Sequence, residues 1–203
     1  MKKITYCLMA IAMMLVLAVP FETMAQMQAP APSPAASVSQ VVGFTKISID
    51  YSSPAVRGRK IFGETEKYGT PWRAGANQAT IIEFSTGVNI GGTNLRPGKY
   101  SIFMTPQESG DWTIHFNSKG NMVFAYMKEG KIDEEAMMKD NAVSIKVTPE
   151  KLSQTQERLS YHISAEDNKV AKVTFAWENV KLSFMVDTQV DQKMESMKGA
   201  FSL

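Results

Sequence analysis

From residue 46 onward, apolar and polar positions alternate in short runs, the period-two pattern of strands with one buried and one wet face. Ile47, Ile49 and Tyr51 alternate with Lys46, Ser48 and Asp50, and Thr80, Ile82 and Phe84 with Ile81, Glu83 and Ser85. Val88, Ile90 and Leu95 flank Gly91-Gly92-Thr93-Asn94, a tight-turn sequence, and Arg96-Pro97-Gly98 turns the chain again before 99–104. Trp112, Ile114 and Phe116 form the next stripe, followed by Val143, Ile145 and Val147, then Leu159, Tyr161 and Ile163. Two last stripes, Val173/Phe175/Trp177 and Val180/Leu182/Phe184/Val186, read as separate strands.

Strands with one greasy face bury it by stacking two sheets, whereas parallel sheets covered on both faces show continuous apolar runs. The pattern therefore predicts a mostly β fold, an antiparallel β-sandwich of jelly-roll-like type, with a partly closed β-barrel as the alternative. Two short helices are expected. Residues 133–139 (DEEAMMK) carry acids early and a lysine late, as a helix dipole favours, and 188–198 space Val190, Met194 and Met197 on one helical face. The second could equally be a tail.

The first 25 residues read as a signal peptide: Lys2 and Lys3, an apolar run over 8–19, then Thr23-Met24-Ala25 with cleavage after Ala25. The apolar run is short for a membrane span. The expected location is periplasmic or secreted, with no membrane span after cleavage. Residues 26–37 (QMQAPAPSPAAS) read as a Pro/Ala linker, 38–187 as a single β domain and 188–203 as a C-terminal helix or tail.

Composition removes several function classes. Cys7, the one cysteine, leaves with the signal peptide, so disulfides, thiolate metal sites and thiol nucleophiles are excluded from the mature chain. The formal net charge is +2; Lys2, Lys3 and Glu22 leave with the first 25 residues, and 20 basic and 19 acidic residues remain. That near-neutral balance argues against nucleic acid as a partner.

Between two predicted strands lies a long irregular segment, 53–80, which concentrates Arg57, Arg59, Lys60 and Arg73 with Tyr68, Trp72 and four glycines. Cationic side chains beside glycines can hold a carboxylate or phosphate, because guanidinium forks bind bidentately and backbone N–H groups can approach. Equally, the arginines could pair with Glu64 and Glu66, or pin the loop to the domain through backbone carbonyls. Trp72, Arg73 and Asn77 suit a sugar-like ligand if the indole is a platform; otherwise Trp72 plugs the end of the sandwich and Asn77 holds a turn. His115 and His162 both fall on the polar side of their strands, and Glu83 shares that face with His115, so a hydrolase built on His115 and Glu83 is a lesser option. Neither histidine belongs to a metal-ligand motif, and no nucleophile-elbow sequence is present. Met194 and Met197 could offer two thioethers to copper, though helix packing explains their spacing. The sequence specifies no catalytic set, metal or cofactor.

The blocks SPAVRGRKIFGE, YGTPWRAGANQATIIEFS, LRPGKYSIFMTP, DWTIHFN and AKVTFAWENVKLSF resemble the domain of unknown function 2911 family, over roughly 45–186. The resemblance implies an exported, mostly β bacterial protein without an established activity. The family pattern often has Thr and Glu where this chain has Ala74 and Gln78. The expectation is a non-catalytic binding module for a small anionic or sugar-like ligand; the alternative is a structural or envelope-assembly protein.

Overall fold

A computed structural model describes residues 29–201. The predicted signal peptide lies outside them. Two antiparallel sheets account for most of the structure. The larger holds β1 (Ala35–Val42), β2 (Thr45–Ser52), β3 (Ile81–Phe84), β6 (Gly98–Thr105), β7 (Trp112–Asn117) and β10 (Asn141–Val147), in that order. The smaller runs β11 (Glu150–Ala165), β12 (Val170–Asp187), β4 (Val88–Ile90), β5 (Thr93–Leu95). The alternating apolar residues point inward: Ile47, Ile49, Ile82, Ile102, Ile114 and Phe116 of the first sheet meet Val173, Phe175, Leu182 and Val186 of the second in one core. Each such side chain contributes about 1.5–3 kcal/mol on burial. Among the described residues the arrangement is a β-sandwich with no closed barrel.

The two apolar stripes after residue 172 belong to one strand, the 18-residue β12. Buried positions fall on Val173, Phe175 and Trp177, then on Leu182, Phe184 and Val186, because the backbone turns to φ 54° at Glu178 and shifts the phase of the alternation. The pairing with β11 slips beside this point, at Gln156↔Glu178. At the other end of the domain, β1 starts at Ala35, inside the segment read as linker. Its register with β2 runs from Ala35↔Ser52 to Val42↔Thr45.

Residues 118–140 connect β7 to β10 and fold over the outer face of the larger sheet. They comprise a 3-10 turn (Val123–Tyr126), the small hairpin β8 (Met127–Lys128) and β9 (Lys131–Ile132), and helix α1 (Glu134–Asp140). Asp133 caps α1 by accepting from the Ala136 N–H at 3.0 Å. Val123, Tyr126 and Met137 form a second, small core with Phe103 of β6. The hydroxyl of Tyr126 accepts from Asn117 Nδ2 at 2.9 Å and donates to Asp140 Oδ2 at 2.8 Å, tying both ends of the cover together. The C-terminal helix α2 (Val190–Phe201) forms where 188–198 was expected to be helix or tail. No helix among the described residues is long and apolar enough to cross a membrane.

Candidate functional site

The loop 53–80 joins β2 to β3, and it is held by hydrogen bonds within itself and to the segments around it. Arg59 donates from Nε to the Val56 carbonyl at 3.0 Å and from Nη2 to Ala55 at 2.7 Å. Arg57 takes a positive φ of 50°, its N–H donates to Glu157 Oε1 at 2.9 Å, and its Nη2 donates to the Pro32 carbonyl. Asn77 donates to the Ser33 carbonyl and to Ser52 Oγ. From the opposite sheet, Arg158 donates to Ser53 O, and the Glu178 carboxylate accepts the N–H groups of Ile61 and Phe62. Arg57, Arg59 and Asn77, candidates for ligand contact by sequence, are thus occupied by the protein itself.

Trp72 is a plug and not a platform. It is 4 % exposed, exchanges two 2.8 Å backbone hydrogen bonds with Met104 of β6, and donates from Nε1 to Gly75 O. Phe62 and Phe175 meet its ring edge-on, and Trp177 stacks against it. With its faces covered, it offers no stacking surface to a sugar.

The histidines do not assemble. Alternation put His115 on a wet face, but the 118–140 cover makes that face an interior, and His115 is 5 % exposed. Its Nε2 bonds Thr105 Oγ1 at 3.0 Å and its Nδ1 bonds Ser144 Oγ at 2.9 Å. Burial pushes its pKa down to about 4, so the ring is neutral near pH 7. His162 is exposed on the outer face of the other sheet. Glu83 pairs with Lys99 in register and His115 with Phe103, so the two stand apart by at least the rise of four residues along β6, roughly 13 Å. The His115–Glu83 pairing is overturned. Among the described residues no group of three His, Cys, Asp or Glu could hold a metal. Met194 and Met197 are both exposed on α2.

One expected residue, Arg73, has a different environment. A cleft of about 640 Å³ opens between the loop at 65–73 and the cover at 123–134. Its loop wall carries Glu66, Lys67 and Arg73; its cover wall carries Phe124, Met127 and Lys131. The Arg73 guanidinium lies over the Phe124 ring, 5.2 Å from its centroid, while its Nε is buried without a hydrogen-bond partner. Phe124 and Met127 leave 48 % and 45 % of their surfaces open, unusual for large apolar groups on either side of a short turn.

Glu66 faces the same space. Its carboxylate makes no hydrogen bond or ion pair with another described residue. Desolvation raises its pKa to about 7, against the pull of Arg73 and then Arg59, which lower it. Lys67 and Lys131 are likewise without an ion pair. An unpaired, desolvated carboxyl thus stands beside a guanidinium with an unmet donor, in a half-apolar cleft.

Sequence reasoning found Arg73 but treated Glu66 only as a partner for the arginines, and it passed over Lys67, Phe124, Met127 and Lys131. The composition of the loop pointed to one wall; nothing in the pattern of 118–140 pointed to the other. Lys60 and Tyr68 line a separate cleft of about 430 Å³ with Trp112 and Glu178. Tyr68 is half-buried there and packs over Gly63, where an added Cβ would come within 2.6 Å of its ring. The structure therefore divides the expected cluster of candidates between two clefts and a set of fasteners.

No curated protein and no solved structure matches this chain. A family model described as "Protein of unknown function (DUF2911)" matches residues 33–186, from just before β1 to the end of β12. With most of its length covered, the chain belongs to that family.

Proposed function

We propose that this is an exported binding protein whose cleft between the 65–73 loop and the 123–134 cover takes a small organic anion with an apolar arm. The observation that carries the reading is Arg73: it lines the cleft and its guanidinium, buried only at Nε, makes no hydrogen bond or ion pair with a described residue, while Arg57 and Arg59 nearby are bonded to carbonyls. A hydrogen bond from a charged group contributes about 1.5–3 kcal/mol, and a guanidinium without protein partners has such bonds to give to an anion. Phe124 and Met127 supply an apolar surface for the rest of the ligand. Export rests on the pattern of the first 25 residues.

The structural alternative has its own support, since the Trp72–Met104 backbone bonds hold the loop to the larger sheet, Trp177, Glu178 and Arg158 hold it to the smaller, and Arg59 braces it internally. The two readings are compatible: a rigid cap forms one wall of the cleft. The hydrolase reading lacks an assembled acid–base pair. Calorimetric titration of wild type and Arg73→Met with 3-phenylpropanoate tests the proposal. Binding by wild type that falls about tenfold or more in the variant supports it. Equal binding by both removes Arg73 from the site, and no binding by wild type of either 3-phenylpropanoate or its α-amino derivative L-phenylalanine overturns the reading.

A further inference from the structure

Arg73 and Glu66 present opposite charges to one cleft, and neither is bonded to the other or to any other charged group among the described residues. Elsewhere neighbouring opposite charges do pair, as Lys181 with Glu150 and Lys169 with Asp191. We propose that the ligand is an amino-acid-like zwitterion, its carboxylate held by Arg73, its ammonium by Glu66 and its apolar side group by Phe124 and Met127. This deepens the reading above and rests on it.

The cleft chemistry disfavours the simpler ligands. A plain carboxylate satisfies Arg73 but meets Glu66 either ionised, with repulsion, or after Glu66 has taken a proton. A plain amine satisfies Glu66 and meets repulsion from Arg73. A zwitterion satisfies both at once, and its two charges bridge a gap that the protein leaves open. The remaining charges facing Glu66 are Arg59 and Lys67 on its own loop, with Lys131 and Glu134 across the cleft. Glu66 and Glu134 are the carboxylates on the cleft walls, and Glu66 is the one on the same wall as Arg73, where one ligand's two charges reach both. The cleft volume of about 640 Å³ lies within the range of small-molecule sites.

Proton linkage separates the cases by sign. Desolvation holds the Glu66 carboxyl near pH 7, so unliganded protein is partly protonated there. An ammonium docked against it favours the carboxylate and releases a proton; a bare carboxylate ligand forces uptake instead.

Titration calorimetry of the full chain with L-phenylalanine, 3-phenylpropanoate and 2-phenylethylamine, in buffers of different ionisation enthalpy near pH 7, tests this. L-Phenylalanine should bind about tenfold or more tighter than either relative, with net proton release. In Glu66→Gln, an isosteric change, the advantage over 3-phenylpropanoate should disappear while the fold, followed by thermal melting, is retained. If 3-phenylpropanoate binds as tightly as L-phenylalanine, or if proton uptake accompanies the latter, the zwitterion is overturned while the anion site stands. If none of the three binds by about 10 mM, beyond the affinity of even weak small-ligand sites, both readings fall.

Discussion

Trp72 stacks on Trp177 with ring centroids 5.7 Å apart and planes 25° from parallel. This pair joins the long loop to β12, and the bulge at Glu178, one residue further on, accepts the N–H groups of Ile61 and Phe62. The loop is therefore docked by an aromatic plug and a carboxylate clamp at neighbouring positions of one strand. Trp72→Ala should cost about 3–5 kcal/mol in urea unfolding, the range for emptying a large aromatic site in a core. A loss below about 1 kcal/mol would mean the indole is not part of the core.

Two arginines of the loop should separate by phenotype. Arg59→Ala removes donors from two backbone carbonyls and should destabilise by about 1–2 kcal/mol, leaving ligand affinity within a few-fold of wild type. Arg73→Met removes an unsatisfied buried Nε and one ring contact, so stability should change by less than about 1 kcal/mol while affinity falls. Chemical denaturation paired with ligand titration checks both. Equal destabilisation by the two changes would make Arg73 another fastener.

Two buried titrations tilt stability in opposite directions. His115 falls from its ordinary 6.5 to about 4 in the folded protein, so the unfolded chain binds the proton first. Stability should drop as pH falls from about 6.5 and level off below about 4, by an amount on the order of 3 kcal/mol. Glu66 rises from 4.5 to about 7, so its contribution is complete below 4.5 and lost as pH rises through 7. Glu66→Gln should therefore stabilise the protein more at pH 8 than at pH 5, measured by urea unfolding at both. An imidazole titration of His115 by NMR should have its midpoint near 4; a midpoint at 6.5 would contradict the buried, neutral ring.

Lys193 holds α2 to the sandwich through neutral oxygens alone: its ammonium donates to Thr45 Oγ1, Thr86 Oγ1, Gly87 O and Thr188 O. Desolvation lowers its pKa, with Asp187 opposing from a distance. The β1–β2 turn closes over the start of the same helix, where a Cβ on Gly43 would stand 2.3 Å from Val190 Cγ2. Lys193→Met should free α2, raising hydrogen exchange across 190–201 while β6 and β7 stay protected. Unchanged exchange in α2 would show that Val190 and its neighbours suffice to dock it.

The sandwich was legible because each strand of its core repeats large apolar residues at period two, as at Ile47/Ile49 and Trp112/Ile114/Phe116. Alternation failed where a third layer intervenes. His115 and Phe103 sit on the face opposite the main core, and only the fold of 118–140 buries them. β1 escaped because AASVSQVV lies at a sheet edge and buries only Val42 fully, so no stripe marks it. The same reasons govern the site. Arg73 stood out in a loop dense with cations and glycines, but the loop's arginines look alike in sequence and only their bonding partners set Arg57 and Arg59 apart from Arg73. Phe124, Met127 and Lys131 join the cleft through a tertiary contact between segments some fifty residues apart, which no local pattern encodes.

The proposed binding site is the space between 65–73 and 123–134. Amide chemical-shift mapping, with L-phenylalanine and 3-phenylpropanoate added in turn, tests it most directly. Shifts should concentrate on Glu66, Lys67 and Arg73 and on Phe124, Met127 and Lys131, leaving α2 and the β11–β12 ends near Ala165 unmoved. Shifts centred on the Lys60–Tyr68–Trp112 cleft, or no shifts with either compound, would contradict it.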